Sequence, residues 1–112
     1  RGVVVTIGAH GQEEGMGTHW ELWSFVRGGF SPLDALKVAT IMPARKLGFE
    51  KDIGSLEDGK LADLVVLDAN PLNDIRNSDK IASVMVNGRL YDAVTLNEIG
   101  TGNRLRPPYY WE

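Results

Sequence analysis

The order of apolar and polar positions changes character along the chain. Residues 3–7, VVVTI, form a nearly unbroken run of β-branched and apolar side chains. Such a run, without alternation, predicts a strand buried on both faces, as in parallel sheets. Gly8, Gly11, Gly15 and Gly17, with Gln12, Glu13 and Glu14 among them, predict a flexible loop. The stretch THWELWSFVRGG then reads as a helix. Thr18 followed three positions on by Glu21 fits a capping box, and Gly28-Gly29 supplies the stop. Trp20, Trp23, Phe25 and Val26 give that helix a broad apolar surface, with the two tryptophans as core anchors. A second helix follows at SPLDALKVATIM, with Ser31 as cap and Pro32 in its first position. Pro43 opens a further turn, PARKLG, that Gly48 can end.

Beyond residue 50 the period shortens. In IGSLEDGKLADLVVLD the pair Asp58-Gly59 predicts a turn between two short strands, the second at about 62–67. Asp63 stands at the entrance of that strand, where its carboxylate can bond backbone amides or a lysine. Lys60 reads as solvated or paired with a nearby acid. Asp68 and Asn70, before Pro71, read as turn formers. IASVMVNGRLYD gives the clearest local pattern, two apolar runs joined by Asn87-Gly88, the pair best suited to a two-residue hairpin turn. Thr95 and Glu98 fit a cap on one last helical turn, and a proline- and aromatic-rich tail, RLRPPYYWE, follows. A parallel strand needs parallel neighbours reached by crossover connections. The first 48 residues therefore ask for more sheet than the chain supplies.

Composition narrows the function classes. The 112 residues are 43% apolar and 24% charged, ordinary for a globular protein. A net charge of −3 gives no basic footprint for nucleic acid, and the scattered lysines and arginines form no polybasic patch for a membrane. No apolar run approaches the ~20 residues that cross a bilayer. With no cysteine, thiolate chemistry and disulfides are excluded and the compartment stays unread. Arg1 stands directly before the strand-like run, which reads as a cut through a longer protein.

The chain has two histidines, His10 in IGAHGQ and His19 in GTHWELW. An imidazole suits both zinc and proton transfer near neutrality. His19 and Glu21 are two apart on a helix and do not face each other, so HWE is not a ligand pair. His19 reads as a substrate-pocket or loop-packing residue, and Gln12 as a loop residue that can contact substrate. The residues alone favour the plainer reading, in which His10 makes hydrogen bonds within a glycine-rich loop.

The block ALKVATIMPARKLGFEKDIGSLEDGKLADLVVLDANPLNDI resembles the C-terminal signature of the amidohydrolase superfamily. The flanking GAHGQEEGMGTHWELW and RPPYYWE are similar to the imidazolonepropionase-like branch often fused to a TolB-type propeller. The resemblance implies an α/β fragment: the last strand and helices of a (β/α)8 barrel over residues 1–50, antiparallel strands of a small composite β-sandwich over 51–92, and a tail over 93–112. It implies an intact enzyme that hydrolyses C–N bonds in amides, cyclic amides or dipeptides with a divalent metal, zinc in the first instance. The fragment alone is then expected to bind no metal and to be inactive. Barrel enzymes place their chemistry at the C-terminal ends of the strands, which puts His10 where the family usually has an aspartate. The resemblance thus makes His10 the candidate catalytic residue and metal ligand, with Gln12 and His19 at the substrate, a small molecule. The family's remaining ligands, including its His-x-His pair, have no counterpart here. A different reading is a non-catalytic module, homo-oligomeric through its unpaired strand and apolar helix.

Overall fold

The computed structural model describes residues 3–10, 13–100 and 102–111. Three helices come first: α1 (Met16–Arg27), α2 (Pro32–Ala39) and α3 (Ile41–Leu47). A four-stranded antiparallel sheet follows in the order β1 (Leu64–Leu67), β2 (Ile81–Val86), β3 (Arg89–Asp92) and β4 (Glu98–Ile99). A 3₁₀ turn at Ile75–Asp79 lies between β1 and β2.

Residues 3–9 carry the first correction, because they form no strand. Their β-branched side chains suit a sheet, but every strand among the described residues is antiparallel and lies elsewhere. Without a neighbour to receive their amides, these residues run as an extended segment over α2. Ile7 N–H donates to the Val38 carbonyl there at 3.4 Å, and Val3 and Val4 stay exposed.

The start of α1 is the second correction. The helix begins at Met16 after Gly15, which has φ +76°, and no side chain caps it. Thr18 therefore lies inside the first turn, and Glu21 is released from the expected capping box. The stop falls as predicted: Gly28 N–H donates to Ser24 O, and Gly29, at φ +104°, donates to Val26 O. In α2 the cap is also as expected, with Ser31 Oγ accepting from Asp34 N–H at 3.1 Å ahead of Pro32. Gly48 ends α3 in the left-handed region.

Leu22 of α1, Ala35 of α2 and Ile75 of the 3₁₀ turn form the central core cluster. Trp23, Phe25, Val26, Leu36 and Ala39 pack against it, and Phe25 leans on Phe30 with centroids 5.2 Å apart. Trp23 is thus the anchor its position suggested. Trp20 is not: it is 46% exposed. The helical half and the sheet half are joined through Ile75, since the 3₁₀ turn packs on α1.

The connection from α3 to β1 contains Gly59 at φ +90° but no strand before it, so one of the two strands expected around Asp58-Gly59 is absent. Lys60 organises this stretch. Its side chain is largely buried, and its ammonium donates to Glu50 O at 2.6 Å and Ser55 Oγ at 2.5 Å while lying 3.1 Å from Glu57 Oε1. Three donors with three acceptors fill the ammonium's capacity. Asn70 forms the expected turn through Leu72 N–H, and Asp68 joins Lys80 through its backbone.

The β2–β3 hairpin turns on Asn87-Gly88, at φ +49° and +77°, as a two-residue primed turn requires. β1 pairs with β2 from Leu64↔Met85, with a register shift after Val66. The Thr95–Glu98 cap is a third correction. Asp92 Oδ1 instead accepts from Val94 N–H, Thr95 N–H and the Thr95 hydroxyl, closing a turn. Glu98 enters β4 and forms a two-pronged ion pair with Arg89.

Candidate active site

The segment that bears His10 is short, and its geometry is set by α1. Gly8 N–H donates to Glu21 Oε2 at 2.6 Å. Met16 N–H and Gly17 N–H donate to Glu14 O and Glu13 O, each at 2.9 Å, and tie the far end of the loop to the helix start. Gly17 is buried: a β-carbon built there would stand 3.2 Å from Ala9 Cβ, so glycine lets helix and loop approach closely. Between these ties His10 is exposed, with φ +56°. That left-handed conformation is uncommon outside glycine, although histidine adopts it more readily than most residues. The polypeptide thus turns sharply at the candidate imidazole.

His19 is placed differently. In the fourth position of α1, it is half-buried, with Nδ1 3.1 Å from Ser78 Oγ in the 3₁₀ turn. Trp23 Nε1 donates to the same oxygen at 3.1 Å. Indole is a donor only, so Ser78 accepts from Trp23 and keeps one proton and one lone pair for the imidazole. Ser78 is buried, and these contacts satisfy it. The two histidines share no hydrogen bond among the described residues. Gln12 lies outside the described residues.

Two contributors escaped the sequence reading. Ser78 is 59 residues from His19 and sits in NSDK, which shows only turn chemistry. Glu21 was accounted for by a capping pattern whose cap, Thr18, lies three residues beyond the observed one, Gly15.

Among the described residues no group of three or more His, Cys, Asp or Glu side chains is placed to hold a metal ion. The residues present therefore do not themselves fit a metal centre; His10 offers one imidazole. Two hollows are also lined without either histidine. One, of about 510 Å³, lies between Val94–Asn97 and the tail. The other, of about 310 Å³, lies between α1 and the 3₁₀ turn beside Trp20 and Trp23. Carboxylates held below their usual range sit apart from His10, at caps, at turns and in β4. The Ser31 hydroxyl lowers Asp34, the Ser55 hydroxyl and then Lys60 lower Glu57, the Thr95 hydroxyl lowers Asp92, and Arg89 lowers Glu98. Each of these shifts has a local structural cause.

Comparison with known proteins bears on the chain as a whole. The model of the amidohydrolase family matches residues 2–91. A 5-methylthioadenosine/S-adenosylhomocysteine deaminase of Symbiobacterium thermophilum is 46% identical over 55 residues, covering 49% of this chain and 13% of the relative. An imidazolonepropionase of the same organism is 54% identical over 39 residues, 35% of this chain and 9% of the relative. Among solved structures, molinate hydrolase superposes with a TM-score of 0.71 at 30% identity, over 88% of this chain and 22% of its own. The chain thus spans less than a quarter of the length of each of these three proteins.

Proposed function

Because the chain belongs to the amidohydrolase family, we propose that it is the closing part of an enzyme that hydrolyses C–N bonds in small molecules. The observation that carries this reading is the family match over residues 2–91, which includes the His10 loop, all three helices and β1 to β3 up to Tyr91. The relatives' names support the bond class: a deaminase is similar to this chain over 55 residues and an imidazolonepropionase over 39. Residues 1–50 would be the end of the catalytic barrel, 51–92 strands of a β-sandwich and 93–112 an appended tail. Amides, cyclic amides and dipeptides are the substrate classes.

In this reading His10 belongs to the catalytic centre, and Gln12 and His19 lie toward the substrate. A divalent metal, zinc in the first instance, is the family's usual cofactor. With one candidate imidazole on this chain, its other ligands would come from polypeptide beyond these residues. The 112-residue chain alone should hydrolyse none of these substrates.

The test is His10→Ala in the whole enzyme, assayed on adenosine-type amines, imidazolones and dipeptides. Removal of a group engaged in proton transfer costs about 10²–10⁴ in rate. The expected result is a loss of kcat in that range with an unchanged fold. A variant that keeps half of its kcat removes His10 from the centre.

A second reading, a non-catalytic module that self-associates, is favoured by the exposure of Trp20, Leu33, Phe49 and Val65. Hydrolysis by the whole enzyme, abolished by a chelator, would decide against it.

A further inference from the structure

We propose that Glu21 is the positioning residue for His10, holding the imidazole in place by clamping the backbone two residues before it. The proposal rests on the reading of His10 as a group of the catalytic centre. Its own support is geometric.

Glu21 is a helix residue whose carboxylate leaves the helix to accept the Gly8 amide across 13 positions of sequence, at 2.6 Å. A hydrogen bond from a neutral amide to a charged carboxylate is stronger than one between neutral groups. It is also one of few bonds available to a segment that has no strand partner, the other described one being Ile7 N–H to Val38 O at 3.4 Å. One residue on, Ala9 packs against Gly17, so the backbone is gripped at Gly8 by charge and at Ala9 by close contact with α1. His10 follows immediately, in the left-handed region. Such a conformation persists where its surroundings over-determine it, and it occurs often at functional sites. Gly8 fixes where the chain enters the turn, and the buried Gly17 fixes how near the helix it passes. Among the described residues Glu21 is thus the one charged side chain bonded to the backbone that leads into His10.

A carboxylate in the helix interior has no other described partner that would account for it. Arg27 and Lys37, the nearest cations in sequence on α1 and α2, make no ion pair with it; Lys37 pairs with Asp34 instead. The bond to Gly8 is its one described hydrogen bond.

The test is nuclear magnetic resonance on the 112-residue chain carrying Glu21→Ala or Glu21→Gln, read at three places: the Gly8 amide, the ring protons of His10, and the ring protons of His19 with the Leu22 methyls. In Glu21→Ala the Gly8 amide should exchange about tenfold faster, as loss of a charge-assisted hydrogen bond implies, and the His10 ring signals should move. His19 and Leu22 should stay in place, because Ser78 and the core hold them. Glu21→Gln keeps an acceptor oxygen and should restore much of the Gly8 protection and of the His10 signal. Two results would overturn the proposal. In one, Glu21→Ala leaves the His10 signals unchanged. In the other, His10, His19 and Leu22 all shift together and Glu21→Gln restores none of them, which makes Glu21 a general stabiliser of α1. Neither depends on turnover, so a catalytically silent His10, exposed by His10→Ala in the whole enzyme, is a separate failure.

Discussion

Gly54 shows how much a single missing side chain can decide. Its φ is +91°, and a β-carbon there would stand 2.7 Å from Ala44 Cβ and 3.1 Å from both Ile41 Cα and Thr40 O. Those neighbours are backbone and a methyl group, which cannot swing aside. Gly59, at φ +90°, has nothing within 4 Å of the same position. The two glycines therefore separate conformational strain from collision. Gly59→Ala should cost about 1 kcal/mol, the left-handed penalty alone. Gly54→Ala should add an overpacking term and reach about 2–4 kcal/mol. Urea unfolding of both variants checks this, and equal losses would show that α3 yields to the methyl group. The sequence marked Gly59, because Asp-Gly is turn chemistry within reach of single-residue reasoning. It did not mark Gly54, whose need for glycine arises from α3, ten residues earlier. The same holds at the candidate site. His10 could be singled out by its type and its glycine neighbours, whereas Ser78 acquires its role only when the 3₁₀ turn meets α1.

Among the elements, those that hold their own signal in sequence were legible, and those that depend on a neighbour were not. The Ser31 cap with Pro32, the Gly28-Gly29 stop and the Asn87-Gly88 hairpin each rest on bonds made within a few residues, and each is present. Residues 3–7 have strand composition but no strand to pair with, and Thr18/Glu21 has capping spacing but lies inside a helix begun at Met16. Asp63 joins the two kinds. Its oxygen accepts from Asn87 N–H at 2.6 Å, and the carbonyl of Ala62 accepts from Gly88 N–H at 3.0 Å. The entrance of β1 thus clamps the tip of the β2–β3 hairpin from 24 residues away. Asp63→Ala should cost about 1–3 kcal/mol, because it removes a charged acceptor from a backbone amide. The loss should be concentrated at the hairpin, visible as faster amide exchange at Asn87 with Ile75 unaffected. Asp63→Asn, which keeps an oxygen at that distance, should recover part of it. If Asp63→Ala leaves Asn87 protected, the turn type alone holds the hairpin.

The whole molecule has more surface than its mass calls for. The solvent-accessible area is 8301 Å² for 12.3 kDa, whereas a compact monomer of that mass exposes roughly 6,100 Å². The radius of gyration is 15.4 Å, against about 13 Å for a compact chain of this length. The core is correspondingly thin: among the described residues Leu22, Ala35, Val38, Ala44 and Ile75 are the buried apolar ones, and no large side chain is fully enclosed. Much of the excess is apolar and lies on both halves, with Leu33, Leu47 and Phe49 on the helical side and Val65 and Val66 on β1. β1 is also the end strand of its sheet, so one row of its amides and carbonyls has no strand beside it. An apolar, uncharged edge strand recruits another strand when no polypeptide covers it. The isolated chain should therefore associate at tens of micromolar, with a sedimentation coefficient that rises with concentration. Val65→Lys places a charge on the exposed edge without touching the helical core, and it should shift the chain toward monomer while leaving the circular dichroism spectrum unchanged. In the longer enzyme proposed above the same substitution should instead lower stability, because the surface that drives association in isolation would there be buried. A chain that stays monomeric at every concentration, with or without Val65→Lys, would show that the thin core suffices and that the β1 edge needs no cover.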